Sequence, residues 1–246
     1  MNPLPEGWPR VLAHRGASSL APENTLSAFQ RARELGCRGV ELDIQLCATG
    51  EVIVFHDPYL KRIAGSDVKV ADSPFNALRK LDAGRHFSPA FAGERIPLFE
   101  EVLETLGSDI CIDIEIKTSG IQSAQTAQAL QRILQRHNRR NCIISSFNPF
   151  ALLSCQRLMP DILTAAIYCS DRGVPWYLRH RECLFISRAP ILKPERRLAP
   201  WSPERPIYTR APALVWTVDD RNEAERLLSG GVASVITNRI QDMCDL

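Results

Sequence analysis

Two stretches, Gly39-Val-Glu-Leu-Asp-Ile-Gln45 and Ile110-Cys-Ile-Asp-Ile-Glu-Ile-Lys117, decide how the chain is read. Residues two apart on a strand share a face. Val40, Leu42 and Ile44 therefore turn one way and Glu41, Asp43 and Gln45 the other. In the second stretch Ile112, Ile114 and Ile116 oppose Asp113, Glu115 and Lys117. The aliphatic faces suit the layer between a sheet and its covering helices. The acidic faces must then point into an enclosed interior, where unpaired carboxylates are costly and require a compensating charge.

Working outward, apolar runs at Val11–His14, Cys142–Phe147, Leu163–Tyr168, Cys183–Ser187, Ala213–Val218 and Ala233–Thr237 bring the strands to eight. Helical periodicity occupies Asn24–Leu35, Phe99–Leu106, Ile121–Gln135, Pro149–Leu158 and Asn222–Leu228. The first of these is capped by Glu23-Asn24-Thr25 and ended by Gly36. Alternation of this kind predicts an α/β fold, a (β/α)8 TIM barrel, in one domain over residues 1–246. Glu51–Asp57 follows the turn Ala48-Thr-Gly50 and predicts a hairpin on the second strand, with residues 58–98 as an insertion. Residues 188–212 hold six prolines, which predicts an irregular sixth βα unit with no regular helix.

Thirty basic against 28 acidic residues, a net charge of +2, exclude a broad electrostatic footprint for nucleic acid. The N-terminal stretch lacks the apolar core of a signal peptide, and no apolar run approaches the ~18 residues of a spanning helix. Neither a leader nor stable membrane insertion is expected. Eight cysteines form no CxxC and no metal-ligand spacing, which suits small buried hydrophobes in a reducing, cytoplasmic setting. A homodimer is compatible with all of this.

Glu41, Asp43 and Glu115 offer hard oxygen ligands on neighbouring strands, a donor set for one divalent cation, Mg²⁺ or Ca²⁺, rather than zinc. The alternative is an internal salt-bridge network in which Lys117 and Arg15 neutralise the acids. Asp113 lies one layer deeper and reads as a structural partner. His14 and His56 each end a strand-like run, and imidazoles beside carboxylates form a natural acid/base pair near neutral pH. Asp57 either orients His56 or simply forms a turn. Arg15 and Lys117 supply positive charge for an anionic oxygen, most plainly a phosphate. Trp216 either floors the pocket or packs the barrel. His86, in the insertion, is a weaker candidate, and His137 and His180 read as surface residues.

The ordered series His14-Arg-Gly, Pro22-Glu-Asn-Thr, Ala28-Phe, Glu41-Leu-Asp, Val54-Phe-His-Asp, Ile96-Pro, Glu115-Ile-Lys, Ser146-Phe and Trp216-Thr-Val resembles the glycerophosphodiester phosphodiesterases across nearly the whole chain. The resemblance implies metal-dependent hydrolysis of a small glycerophosphodiester, such as glycerophosphocholine or glycerophosphoethanolamine, to glycerol 3-phosphate and an alcohol. Carried over by position, Glu41, Asp43 and Glu115 would hold the metal and His14 and His56 would exchange protons. Arg15, Lys117, Trp216 and Asn24 would lie near the substrate. Alternatives are a lysophospholipase D or another head-group phosphodiesterase, for which Phe75, Phe87 and Phe91 could line a groove, and a non-catalytic phosphate-binding barrel. The sequence departs from the family at Cys47-Ala-Thr-Gly50, at Thr237-Asn-Arg-Ile240, which leaves a rudimentary eighth helix, and at 188–212.

Overall fold

A computed structural model describes residues 4–118, 122–171, 182–199 and 211–246. Nine strands are assigned among them: β1 (Val11–His14), β2 (Gly39–Leu46), β3 (Val52–Val54), β4 (Cys111–Ile116), β5 (Cys142–Ser146), β6 (Thr164–Tyr168), β7 (Ile191–Pro194), β8 (Leu214–Val215) and β9 (Ser234–Thr237). Eight pair in parallel in the order β7-β6-β5-β4-β2-β1-β9-β8, and β3 hangs antiparallel from β2. Single parallel bridges, Leu192 to Ala213 and Glu195 to Trp216, bring β7 against β8 and nearly close the barrel. The α/β barrel expected from the strand count is therefore the fold.

The helices are α1 (Leu26–Glu34), α2 (Lys61–Ala64), α3 (Phe75–Leu78), α4 (Phe99–Leu106), α5 (Gln122–Arg136), α6 (Pro149–Leu158), α7 (Glu182–Ser187) and α8 (Arg221–Ser229). Thr25 caps α1, its Oγ1 accepting from the Ala28 amide at 3.3 Å. The longer helices lay apolar stripes on the outer faces of the strands, where Val40, Leu42, Ile44, Ile112 and Ile114 are buried. Inside the barrel a layer of Leu12, Ile143, Ala165, Ile191, Leu214 and Ile236 fills the lower half, with Leu4 and Trp8 packed against it. The acids lie above this layer.

Two readings of the sequence are corrected. Cys183–Ser187 is not a strand; it lies in helix α7. A run of five largely apolar residues carries no period long enough to separate a buried strand from a short helix. The strand it displaced is β7, Ile191–Pro194, inside the segment read as irregular. Prolines at 190 and 194 bracket β7, so only the middle residues must donate to the ladder. After β7 only a single 3₁₀ turn, Arg196–Leu198, is described before residues 200–210, with Arg205, which lie outside the described residues.

The hairpin forms as expected, with Ile44 opposite Val54. The insertion beyond it folds α2, α3 and short 3₁₀ turns around its own apolar cluster of Ile53, Phe55, Leu60, Ile63, Val70, Leu78 and Ile96. The Arg79 guanidinium clamps it to α4 by an ion pair with Glu101, whose carboxylate also accepts from the Leu98 amide at 2.8 Å. After β9 one 3₁₀ turn, Ile240–Asp242, stands where an eighth helix would be.

Candidate active site

Strand register assembles the site. His14 pairs with Glu41, Glu41 with Asp113 and Asp43 with Glu115, so all four acids rise on adjacent strands at the same two levels. All are buried. One oxygen each of Glu41, Asp43 and Glu115 lies within 4.8 Å of the others. Those carboxylates carry the buried oxygens Glu41 Oε2, which receives no hydrogen bond, and Asp43 Oδ1 and Glu115 Oε1, which face the Lys117 ammonium. Three converging hard oxygen donors fit a divalent cation such as Mg²⁺ or Ca²⁺. Asp113, one layer below, accepts from Ser145 Oγ at 2.6 Å through Oδ1 and faces Lys193 with Oδ2.

Cations surround the cluster. The Arg15 Nε lies 3.1 Å from Asp43 Oδ2, and the Lys117 ammonium lies 3.2 Å from Asp43 Oδ1 and in close contact with Glu115. The salt-bridge network and the metal site thus share the same carboxylates: Lys117 meets Asp43 Oδ1 and Glu115 Oε1, while Glu41 Oε2 receives no hydrogen bond. Sequence reading missed a third cation, Lys193 on β7. It is 2 % exposed, and its Nζ lies 2.9 Å from Asp113, 3.3 Å from Glu41 and 3.7 Å from Glu115. Alternation of Ile191 and Lys193 was the available signal, obscured by the prolines around it.

These contacts set the charge states. Burial, against Lys193 and with the neighbouring acids, pushes Glu41 up to about 8 in the absence of a cation. Burial acts on Asp43 and Glu115 too, but Lys117 with Arg15 or Lys193 outweighs it and holds both below the usual carboxylate range. Asp113 is raised by burial.

The imidazoles approach from two sides. His14 Nδ1 meets Asn238 Oδ1 at 2.6 Å, and Nε2 points at Glu41 Oε2, 3.7 Å away. Asn238 is itself fixed by donating its Nδ2 to Asp219 at 2.9 Å. That orientation makes Oδ1 the acceptor, so His14 carries its proton on Nδ1 and leaves Nε2 a lone pair. Burial and the adjacent Arg15 lower His14 to about 4. His56, at the end of the hairpin, places Nδ1 2.5 Å from Asp57 Oδ1. Burial and Lys117 lower it, while Asp43 and Asp57 oppose them. Asp57 thus orients His56 rather than merely turning the chain.

A second arginine joins the two halves. Arg62 of α2 reaches Asp57 Oδ2 at 2.7 Å and Glu23 Oε1 at 2.7 Å, and Glu23 in turn accepts from Arg15 at 2.8 Å. Burial would raise Glu23, yet Arg62 and Arg15 bring it down to about 2. Asn24 donates Nδ2 to Asp43 Oδ2 at 2.8 Å. Arg15 and Asn24 both occupy left-handed backbone, with φ of 57° and 58°, and the Asn24 amide closes the turn on the Arg15 carbonyl at 3.0 Å. Trp216 donates to the Lys193 carbonyl at 2.9 Å and packs edge-to-face on Phe147, whose ring lies 5.9 Å from the Lys117 ammonium. It walls the site while resting on the barrel core.

Other candidates stay apart. His86 is exposed beside the Glu23–Arg62 pair and His137 faces Glu100, whereas His180 lies outside the described residues. Phe75 joins the insertion core, and Phe91 borders an open depression with Ser27 and Arg79 instead of the acids.

A parallel barrel with this constellation at the C-terminal ends of its strands is of the hydrolase kind that acts on phosphoric esters. Comparison with known proteins gives the family. The model of the glycerophosphoryl diester phosphodiesterase family matches residues 14–177. The chain is 34 % identical over 239 residues to the glycerophosphodiester phosphodiesterase of Caldanaerobacter subterraneus subsp. tengcongensis, covering 96 % of each. Among solved structures it resembles an Oleispira antarctica phosphodiesterase in complex with the product sn-glycerol-3-phosphate, with a TM-score of 0.85, 27 % identity and 96 % of each chain covered. A Thermotoga maritima glycerophosphodiester phosphodiesterase superposes with a TM-score of 0.73 at 28 % identity, over 98 % of this chain and 99 % of that one. The chain belongs to the glycerophosphodiester phosphodiesterase family and is a phosphoric diester hydrolase.

Proposed function

We propose that the enzyme hydrolyses small glycerophosphodiesters, such as glycerophosphocholine or glycerophosphoethanolamine, to glycerol 3-phosphate and an alcohol. The observation that carries this reading is the set of three converging, buried carboxylates beside the two imidazoles. The product bound in the Oleispira antarctica enzyme supports the same chemistry.

Glu41, Asp43 and Glu115 would hold one Mg²⁺ or Ca²⁺, which lends positive charge to the phosphoryl oxygens as the transition state forms. Arg15 and Lys117 bind those oxygens from the protein side and keep the anionic ester from repelling its nucleophile. One imidazole of the His14 and His56 pair takes the proton of the attacking hydroxyl, either water or the glycerol 2-hydroxyl. A P–O bond forms as the P–O bond to the alcohol breaks. The other imidazole then protonates the departing alkoxide. Where the glycerol 2-hydroxyl is the attacker, the product is a cyclic phosphate. Water then opens it at phosphorus, the 2-oxygen leaving and the two imidazoles exchanging roles, to give glycerol 3-phosphate. Asn24 holds Asp43 in place, and Trp216 with Phe147 forms the wall against which the substrate lies.

Release of glycerol 3-phosphate from glycerophosphocholine, read by a coupled dehydrogenase assay, tests the proposal. Turnover should vanish with chelator, return with Mg²⁺ or Ca²⁺, and be lost in His56→Ala. Activity that survives chelation or that substitution would overturn it. Faster turnover of long-chain lysophosphatidylcholine than of glycerophosphocholine would move the substrate to the lipid.

A further inference from the structure

Lys193 is the one fully enclosed ammonium among the described residues, and it sits on the floor of the acid cluster. Its Nζ donates to Ser145 Oγ at 3.1 Å and contacts Asp113, Glu41 and Glu115. Lys117 holds the same triad from above, through Asp43 and Glu115. Two of the three candidate ligands, Glu41 and Glu115, are therefore each tied to Lys193 by one oxygen, Oε1 and Oε2 respectively, while the other oxygen of Glu41 faces His14 and that of Glu115 faces Lys117.

The charges decide what this does. A bound divalent ion would hold all four carboxylates, Glu41, Asp43, Asp113 and Glu115, ionised, displacing the Glu41 proton, against three fixed cations, Arg15, Lys117 and Lys193. One negative charge remains, enough to attract a divalent ion. The complex then carries one positive charge, which matches the single negative charge of a phosphodiester. Without Lys193 the cluster would hold two negative charges. A divalent ion would bind more tightly, but the loaded site would be neutral toward its anionic substrate.

We propose that Lys193 is a positioning residue that presets the carboxylate triad and sets its charge, so that one divalent ion is held loosely enough to leave a net attraction for the phosphodiester. The inference rests on the metal site proposed above. Interactions between charges this close and this buried are strong even in a well-screened protein interior, so a change of one unit is readable as affinity.

Isothermal titration of the purified, metal-stripped enzyme with Mg²⁺ and with Ca²⁺ tests it. Lys193→Met should bind the ion at least tenfold more tightly than the wild type and show a raised KM for glycerophosphocholine with a smaller change in kcat. Asp113→Asn, which removes a negative charge, should bind at least tenfold more weakly. Asp113→Asn combined with Lys193→Met restores the original charge and should return to within about threefold of wild type, as should Lys193→Arg. The neutral double variant also guards against misfolding, because removing both members of a buried pair is tolerated far better than removing one. Affinities of all four variants within threefold of wild type would overturn the proposal. So would weaker binding by Lys193→Met, which would make the lysine a mere scaffold. A wild-type enzyme that binds neither ion would refute the metal site itself, a distinguishable result.

Discussion

His14 is neutral because its surroundings leave no room for a charge: its imidazole is mostly buried, Arg15 follows it, and Asn238 offers it a carbonyl oxygen rather than a carboxylate. Its value falls from 6.5 to about 4. Between those two pH values the unfolded chain binds a proton that the native histidine does not, so its contribution to stability grows as pH rises through that window. Acidification from pH 6.5 to 4 should therefore remove about 3 kcal/mol through this residue. Urea unfolding of the metal-stripped protein across that range should give a shallower pH dependence in His14→Asn; parallel curves would contradict the assignment. His56 depends on a single carboxylate for its ring orientation. Asp57→Asn should lower kcat roughly 10–100-fold with little change in KM, since the ring stays but its tautomer and angle are no longer set. The acids and both histidines were legible in the sequence because a charge at every second position of an aliphatic strand has few explanations. Asn238 and Asp219 were not: Asn238 meets His14, 224 residues away in sequence, only because β9 pairs with β1, and Asp219 acts on the histidine only by holding Asn238. Lys193 was hidden by a composition that argues against any strand.

The connection from β1 to α1 shows how an element places its residues. Gly16 has φ +79°, and a Cβ there would meet the Ala28 carbonyl carbon at 2.7 Å. The chain must pass that close to α1 for Arg15 and Asn24 to turn back onto Asp43. Gly16→Ala should cost on the order of 1–3 kcal/mol, visible as a lower Tm by circular dichroism, and should raise KM because Arg15 moves with the turn. An unchanged KM would show that the turn can yield without disturbing the arginine. Legibility at this scale followed length. The eight-residue β2 and the eight-residue α4 announce themselves by period, whereas the four-residue β7 and the six-residue α7 do not. Strands so short are held by their neighbours in the barrel, a tertiary effect that local sequence does not encode.

At the scale of the whole molecule, the net charge of +2 averages a strongly acidic interior with basic groups placed against it. Because Arg15, Lys117 and Lys193 already offset most of that acidity, chelation should abolish turnover yet lower Tm by only a few degrees. A collapse of the fold in chelator, followed by far-ultraviolet circular dichroism, would contradict this. Among the described residues, no helix is long and apolar enough to cross a membrane. The barrel was legible from the strand count and the helical periods between the strands. Its closing edge was not, since β7 and β8 meet through isolated bridges rather than a ladder. The two histidines also stand on different supports: His14 on a barrel strand, His56 on a hairpin whose insertion packs an apolar cluster of its own. Such a cluster can open while the barrel stays shut. In rising urea the enzyme should therefore fall silent before it melts, and a ligand gripping both sides should draw the two midpoints together.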